Sequence, residues 1–286
     1  MGGRTDATNL ITHPVCSVLA SISLDHMQFL GNTVEEIALV KAGIIKESCP
    51  VVTTSQGRYR DRILPVIRKV AEEKQAPLFI SDPDEAVLLG NTPEQLRFSC
   101  PLAGTITLSM TGSYQIENAM LAIHVLKDVL NIKDSVICSG MAKTKWPGRF
   151  EILNDNKKTL ILDGAHNPAG AAAFADSYRR LYGDEKSVII LAMFKDKDTR
   201  GVLEHIMPLA DSVITTMASD NPRSFPAKDL AEYIKKYYDI EVGYEADIYK
   251  AVSLAFDMAG ENKVIACGSL AHLALVKEAY RKYGQR

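Results

Sequence analysis

The sequence predicts an α/β fold: a mostly parallel sheet with an antiparallel ribbon, followed by a complete Rossmann-like α/β domain. Short β-branched apolar runs alternate with amphipathic helical patterns along most of the chain. This alternation is interrupted between residues 86 and 110, where the runs are shorter and separated by Asn-Thr-Pro and Pro. The chain has 286 residues, 47% hydrophobic and 24% charged, which is enough to build one large or two medium cores.

In the first part of the chain, an apolar run at residues 15–24 predicts a buried strand that ends at Asp25-His26. Thr33 followed by Glu36 forms a capping-box pattern and predicts a helix over residues 34–45. We expect further elements in this part: strands at 50–54 and 78–80, a helix at 60–74, the ribbon at 86–110, a helix at 114–130 capped by Ser113, and a helix at 135–142.

The Trp-Pro-Gly-Arg segment at residues 146–149 predicts the junction between two domains, 1–147 and 148–286. Beyond it, strands and helices alternate again, which predicts a compact α/β domain. The strands are expected at 150–153, 159–162, 188–192, 212–216, 240–244 and 264–267, with helices beginning near Pro168, Thr199, Pro226, Ala246 and Leu270.

Composition argues against several classes of protein. The chain has 33 basic and 35 acidic residues, a formal charge of -2, so no basic surface for nucleic acid or an anionic membrane is indicated. The five cysteines are widely spaced and mostly lie in apolar runs, which favours reduced thiols in the cytoplasm. No apolar run approaches the roughly 18 residues of a membrane-spanning helix, and we see no signal peptide.

Polar clusters follow four of the predicted strands, where ligands of open α/β sheets gather. Each cluster alone is weak evidence, because turns are rich in such residues for backbone reasons. The clusters are Asp25-His26, residues 163–168 (Asp-Gly-Ala-His-Asn-Pro), residues 196–198 (Asp-Lys-Asp) and Gly268-Ser269.

Six motifs stand in a specific order: GGRTDATN, SISLDHMQFLGNTVEEIALVKAGIIK, QIENAMLAI, WPGRFEIL, DGAHNPAG and ACGSL. With this order and spacing, essentially the whole chain resembles the folylpolyglutamate synthase and dihydrofolate synthase family of the Mur ligase superfamily. The resemblance implies that residues 1–147 are part of the ATP-binding central domain and that residues 148–286 are the glutamate ligase domain. The family also carries a GTNGKGS-like phosphate loop, but no Gly-Lys-Ser or Gly-Lys-Thr occurs here. We therefore expect an N-terminally truncated chain that is inactive by itself.

The implied reaction uses ATP and Mg²⁺ to join L-glutamate to a carboxylate of folate or dihydropteroate through an acyl phosphate. The substrates are small molecules, and we expect a monomer. Two alternatives remain: a cell-wall Mur-type amino-acid ligase, and a non-catalytic remnant that still binds nucleotide or folate. The sequence does not choose between folate and dihydropteroate.

Two residues are implied as metal ligands by the resemblance: His26, and Lys41 after carbamylation, which also gives Lys41 a catalytic role. From the residues alone, a structural histidine is the better reading of His26, since magnesium prefers oxygen donors. Lys41 lies at the edge of an apolar helical stripe, and from the residues alone it is better read as a lysine whose amine reaches water than as a metal ligand.

Nucleotide contacts are implied for Gln115 and Asn118, which share a helix face, for Arg149 near phosphate and for Asp163 near ribose. The alternatives are solvated helix polar residues, a salt bridge and a helix cap. By the same resemblance His166, with a catalytic role, and Ser269 position the incoming glutamate. For the segment around His166, Asn167-Pro168 is also an ordinary helix start.

Overall fold

The computed structural model describes residues 2–3, 6–24, 27–55, 57–155 and 158–284, without the side chains of Thr8 and Gln28. Backbone proximity divides the chain into two compact units. The first comprises Met1–Gly90, Leu96–Ser109 and Tyr114–Thr144, and the second comprises Asn91–Gln95, Met110–Ser113 and Lys145–Arg286. Within the described residues, no helix is long and apolar enough to cross a bilayer.

The first unit contains a parallel three-stranded sheet in the order β1-β2-β3. Side chains from this sheet and its helices form a buried core that includes Ile37, Val51 and Ile67. The elements are β1 (Ser17–Leu19), α1 (Met27–Leu30), α2 (Val34–Ala42), β2 (Val51–Thr54), α3 (Arg60–Glu73) and β3 (Leu78–Ser81).

A second three-stranded sheet of this unit has the order β4-β5-β6, and β5 pairs antiparallel with β6. Phe98 and Ile106 from this sheet pack with Met120 and Ile123 in a separate core. The elements are β4 (Val87–Asn91), β5 (Leu96–Cys100), β6 (Gly104–Leu108), α4 (Gln115–His124), which continues as a π-helical segment (Val125–Val129), and α5 (Asp134–Lys143).

The second unit is built on a six-stranded sheet with the order β11-β10-β9-β12-β8-β7. Only the β7–β8 pair among these is antiparallel. The chain runs outward from β9 to β11 and then returns to place β12 between β9 and β8, so the strand order reverses there. The elements are β7 (Glu151–Asp155), β8 (Lys158–Leu162), α6 (Pro168–Tyr182), β9 (Ser187–Leu191), α7 (Thr199–Ile206), β10 (Ala210–Thr215), α8 (Ala227–Tyr237), β11 (Glu241–Tyr244), α9 (Ile248–Ala259), β12 (Val264–Cys267) and α10 (Leu273–Tyr283).

The predicted α/β class and the ribbon are confirmed, and so is the capping box of α2. Thr33 accepts the backbone N–H of Glu36, and the Glu36 carboxylate accepts that of Thr33. The prediction that Ser113 caps α4 is wrong. The residue before this helix is Tyr114, and the Ser113 hydroxyl instead bonds Asp176 and Ser177. The strand predicted over 15–24 is shorter, Ser17–Leu19.

Candidate functional site

Asp163 joins two loops at the carboxyl end of β8. One carboxylate oxygen accepts the backbone N–H of Phe150 and the other accepts that of Ala165, both at 2.8 Å. Asp163 is only 2% exposed, so these bonds form in a site shielded from water. The aspartate therefore fixes the turn before β7 against the loop after β8.

The turn that carries Arg149 is held from both sides. The Gly148 N–H donates to the Glu151 carboxylate at 3.0 Å, and the Gly164 N–H donates to the Gly148 carbonyl at 2.9 Å. Phe150 has a positive φ of 46°, which is strained for a residue with a side chain, and its buried ring lies 5.3 Å from Phe174. Arg149 itself is half-buried, and it pairs with no carboxylate among the described residues.

The loop after β12 joins the same cluster. The Gly268 N–H donates to the Ala165 carbonyl at 2.9 Å. Gly268 has φ of +96°, and a Cβ there would lie 2.4 Å from the Ala192 carbonyl oxygen, so only glycine fits. Three sequence-distant motifs, WPGR, DGAHNP and CGS, are therefore brought together at the carboxyl edge of β8 and β12.

His166 and Ser269 lie in these loops. The His166 Nδ1 is 2.9 Å from the Gly164 carbonyl, and the ring is partly exposed. Ser269 is 3% exposed, and its hydroxyl accepts the Ala271 N–H at 3.2 Å. Asn167 caps α6 through the Gly170 N–H at 2.8 Å, so the helix start expected at Asn-Pro is present.

The predicted polar cluster after β9 has structural partners. Asp196 forms a two-bond ion pair with Arg223 at 2.8 and 3.2 Å, which holds the pKa of Asp196 below its usual range. Asp198 caps α7 by accepting the Gly201 N–H at 2.9 Å. This cluster therefore has a local structural explanation.

In the first unit, the Gly-Gly segment at the start of the chain packs on the end of α2, beside Lys41. The Gly3 N–H donates to the Val40 carbonyl at 2.9 Å, and a Cβ on Gly3 would lie 2.5 Å from the Lys41 carbonyl oxygen. The Lys46 amine donates to the Asn9 carbonyl at 3.1 Å. The GGRTDATN and KAGI motifs thus meet, with Lys41 half-buried between solvent and the core.

Gln115 and Asn118 lie together on α4, as their spacing predicts. The Asn118 amide donates to the Gln115 Oε1 at 2.9 Å, and Gln115 is 4% exposed whereas Asn118 is exposed. Between them in sequence is Glu117, whose pKa is raised by burial, an effect that the Thr54 side chain opposes in part.

A family model for the Mur ligase glutamate ligase domain matches residues 148–270. A probable dihydrofolate synthetase of Schizosaccharomyces pombe is 34% identical over 286 aligned residues, covering 94% of this chain and 67% of that protein. The chain belongs to the dihydrofolate synthase/folylpolyglutamate synthase family.

Other members of the dihydrofolate synthase/folylpolyglutamate synthase family agree. The Bacillus subtilis dihydrofolate synthase/folylpolyglutamate synthase is 35% identical over 80% of this chain, but the chain spans only 54% of its length. The Mycobacterium tuberculosis folylpolyglutamate synthase, solved with ADP and AMPPCP, superimposes with a TM-score of 0.83 at 27% identity, covering 100% of this chain and 67% of that one. E. coli FolC, solved with DHPP and ADP, superimposes with a TM-score of 0.79 at 29% sequence identity. The match covers 98% of this chain and 65% of that one.

Membership in this family leaves the roles of single residues as predictions. His26 lies outside the described residues. In the part of the chain that is described, no group of three or more His, Cys, Asp or Glu is placed to hold a metal ion. The magnesium role of His26 and Lys41 therefore stays a prediction.

Two residues near these family motifs were not singled out from sequence. Glu117 lies three and four positions before Met120 and Leu121, which are buried. A carboxylate on the apolar face of a helix is a sequence signal that could have marked Glu117 as a candidate. His272 lies four residues after Gly268 and is fully buried. Burial lowers its pKa to about 4, and an interaction with the Ser269 backbone opposes only part of that effect. No local pattern marks His272.

Proposed function

We propose that the protein containing this chain is an ATP-dependent ligase that adds L-glutamate to a carboxylate of folate or dihydropteroate. In this reaction a carboxylate oxygen of the folate substrate attacks the γ-phosphorus of ATP, and ADP leaves. The glutamate amine then attacks the acyl phosphate, a C–N bond forms, phosphate leaves and the amine loses a proton. Because the chain spans about half to two thirds of its relatives, this activity is proposed for the whole protein.

One observation supports the proposal above the others: Asp163 and its backbone bonds hold Arg149, His166 and the Ser269 loop at one sheet edge. Family relatives are solved with ADP at 27–29% identity over essentially this whole chain. A guanidinium that pairs with no carboxylate of the described residues suits the anionic oxygens of a nucleotide or an acyl phosphate. His166 and Ser269 offer polar groups to the amino acid.

We infer separate tasks for the residues of the second unit. Arg149 stabilises negative charge on phosphate, and His166 and Ser269 orient the glutamate. Asp163 positions the loops that carry them, and its carboxylate is the proposed acceptor for the ribose hydroxyls. In the first unit, the Gln115–Asn118 amide pair is the proposed contact for the nucleotide.

Magnesium would lower the barrier by neutralising phosphate charge. Among the described residues Lys41 would hold it, through the oxygen donors that carbamylation of its amine would supply. No group of three or more His, Cys, Asp or Glu in the described part of the chain is placed to hold a metal ion. His26 and Lys41 remain the proposed ligands.

The experiment fuses the part of the Bacillus subtilis relative that precedes its matched region to this chain and measures glutamate incorporation. We expect ATP-dependent glutamate ligation with folate or dihydropteroate, and none with nucleotide-linked muramyl precursors. Arg149→Gln should abolish turnover, and Arg179→Gln, a charge on α6, should not. Turnover of muramyl precursors would instead support a Mur-type ligase. ADP or folate binding without turnover would support a non-catalytic binding protein.

A further inference from the structure

Leu270 lies in the loop after β12, next to Ser269, and its side chain packs against the backbone of the loop after β8. A Cβ on Gly164 would lie 2.3 Å from both Cγ and Cδ2 of Leu270, so the leucine occupies the volume that a side chain at this position would fill. The three atoms nearest to that volume all belong to Leu270. The two loops are therefore in direct contact at Leu270 and Gly164.

The same side chain reaches the turn that carries Arg149. A Cβ on Gly148 would lie 3.2 Å from Cδ2 of Leu270 and 3.0 Å from Cδ1 of Leu273. Gly148 has a positive φ of 74°, which by itself favours glycine, whereas Gly164 does not lie in that region of the backbone. The space taken by Leu270 is therefore the reason that the structure gives for a glycine at position 164.

Gly164 links this contact to the residues proposed to orient glutamate. Its carbonyl lies 2.9 Å from Nδ1 of His166, so the imidazole is held by the same backbone that Leu270 covers. On the other side of the contact, Leu270 directly follows Ser269, whose hydroxyl accepts the Ala271 N–H within the same turn. A change in the packing of Leu270 would therefore alter the separation of Ser269 and His166.

We propose that Leu270 is a positioning residue for the glutamate site. Its packing against Gly164 fixes one loop on the other and thereby sets the spacing between Ser269 and His166. This inference rests on the proposed function, in which those two residues orient the incoming amino acid. A single exposed leucine is ordinary on a protein surface, but this one fills the space over glycines in two other loops. Leu270 acts through these backbone contacts and need not touch glutamate.

Gly164→Ala tests the contact in the 286-residue chain. In the unmodified chain the new methyl group would overlap Leu270, so we expect the substitution to lower the melting temperature. In a chain that already carries Leu270→Ala the methyl group has room, and Gly164→Ala should not lower the melting temperature further. An equal drop in the two backgrounds would show that Leu270 is not what excludes a side chain from position 164, and would overturn the proposal.

Leu270→Ala tests whether the contact positions His166. We expect it to shift the imidazole resonances of His166 in NMR spectra of the 286-residue chain, because the backbone that holds Nδ1 loses its packing partner. Leu275→Ala is the matched control, since Leu275 is 43% exposed, as Leu270 is, and lies in α10. The control should leave the His166 resonances in place. Unshifted resonances in Leu270→Ala would overturn the proposal.

Kinetics of the fusion protein supply a readout specific to the glutamate site. We expect Leu270→Ala to raise the KM for glutamate about tenfold and to leave the KM for ATP within about twofold, because a small displacement of positioning groups weakens binding of the ligand they hold. Leu270→Met keeps a long apolar side chain and should stay within about threefold of the unmodified protein. Leu275→Ala should change neither KM.

Two kinetic results would overturn the proposal: equal increases in the KM for glutamate and for ATP, or an unchanged KM for glutamate in Leu270→Ala. Failure of the proposed function itself looks different. If the fusion protein joins no glutamate to folate or dihydropteroate, that function is wrong, and the melting-temperature and NMR comparisons still decide whether Leu270 positions His166.

Discussion

The carboxylate of Asp163 accepts the backbone N–H of Phe150, thirteen positions earlier in the chain, at 2.8 Å. This single contact holds a backbone of positive φ beside Arg149, and the other oxygen of Asp163 holds the loop that carries His166. Asp163 is thus the centre of the candidate site even before a ligand is considered.

Asp163→Asn should destabilise the second unit by about 2–3 kcal/mol, because the amide group cannot accept with both of its ends and leaves one buried N–H unpaired. Amide hydrogen exchange at Phe150 and Ala165 should accelerate together with the loss in denaturant stability. Asp198→Asn is the control, since Asn caps a helix as well as Asp does. Equal stability losses in the two variants would show that Asp163 has no special structural role.

Residues 145–286 should fold alone, because this segment contains the whole six-stranded sheet and its helices. Limited proteolysis of the full chain should release a fragment that begins near Lys145, and the isolated fragment should unfold cooperatively. A fragment that stays unfolded would place the domain boundary elsewhere and show that the short segments 91–95 and 110–113 are essential to this unit.

Glu117→Gln should raise stability at neutral pH. Burial raises the pKa of Glu117, and the Thr54 side chain opposes this only in part. The folded chain therefore favours the protonated carboxyl, and the stability this gives is present below about pH 4 and lost as pH rises through the folded pKa. Glutamine is neutral throughout, so the melting temperature of the variant should exceed that of the unmodified chain at pH 7 and approach it at pH 4. A difference that does not vary with pH would contradict this account.

His272→Leu should flatten the pH dependence of stability on the acid side. The pKa of His272 is lowered to about 4 by burial, so the folded chain keeps the ring neutral while the unfolded chain protonates it near pH 6.5. The lowered pKa of His272 therefore reduces the free energy of unfolding as pH falls from about 6.5 toward 4, and it has no effect above about pH 6.5. Melting temperatures measured from pH 7 to pH 5 should therefore fall less steeply in the variant. The control is His13→Gln, a substitution at an exposed histidine, which should retain the slope of melting temperature against pH. A His272→Leu slope equal to that of the unmodified chain would refute the assignment.

Most of the fold could be predicted because its signals are local. The capping box of α2 occupies four consecutive residues, Thr33 to Glu36, and strand periodicity located β2, β8 and β12. The misplaced cap at Ser113 shows the limit: its hydroxyl bonds residues 63 and 64 positions away, and no local pattern reveals such partners. Likewise, a continuous helix was expected where residues Val125–Val129 form a π-helical segment.

The candidate site was predictable as a set of motifs but not as a geometry. Asp163 was expected to meet a ribose, and the structure adds that both of its oxygens already serve backbone N–H groups. Glu117 was not predicted as a site residue, since the resemblance on this helix implies roles only for the amides of Gln115 and Asn118. Thr54, whose side chain opposes part of the effect of burial on the pKa of Glu117, lies 63 positions earlier, so no local pattern connects the two residues.

Oxygen transfer tests the proposed ligase chemistry most directly. A folate substrate labelled with ¹⁸O in its reacting carboxylate is incubated with ATP, glutamate and the fusion protein, and the inorganic phosphate is analysed by mass spectrometry. The account predicts one ¹⁸O in each phosphate released and one retained in the amide product, because a carboxylate oxygen leaves with the phosphoryl group. Glutamate ligation that yields unlabelled phosphate would contradict the acyl-phosphate route, and absence of any folate-dependent ligation would contradict the function itself.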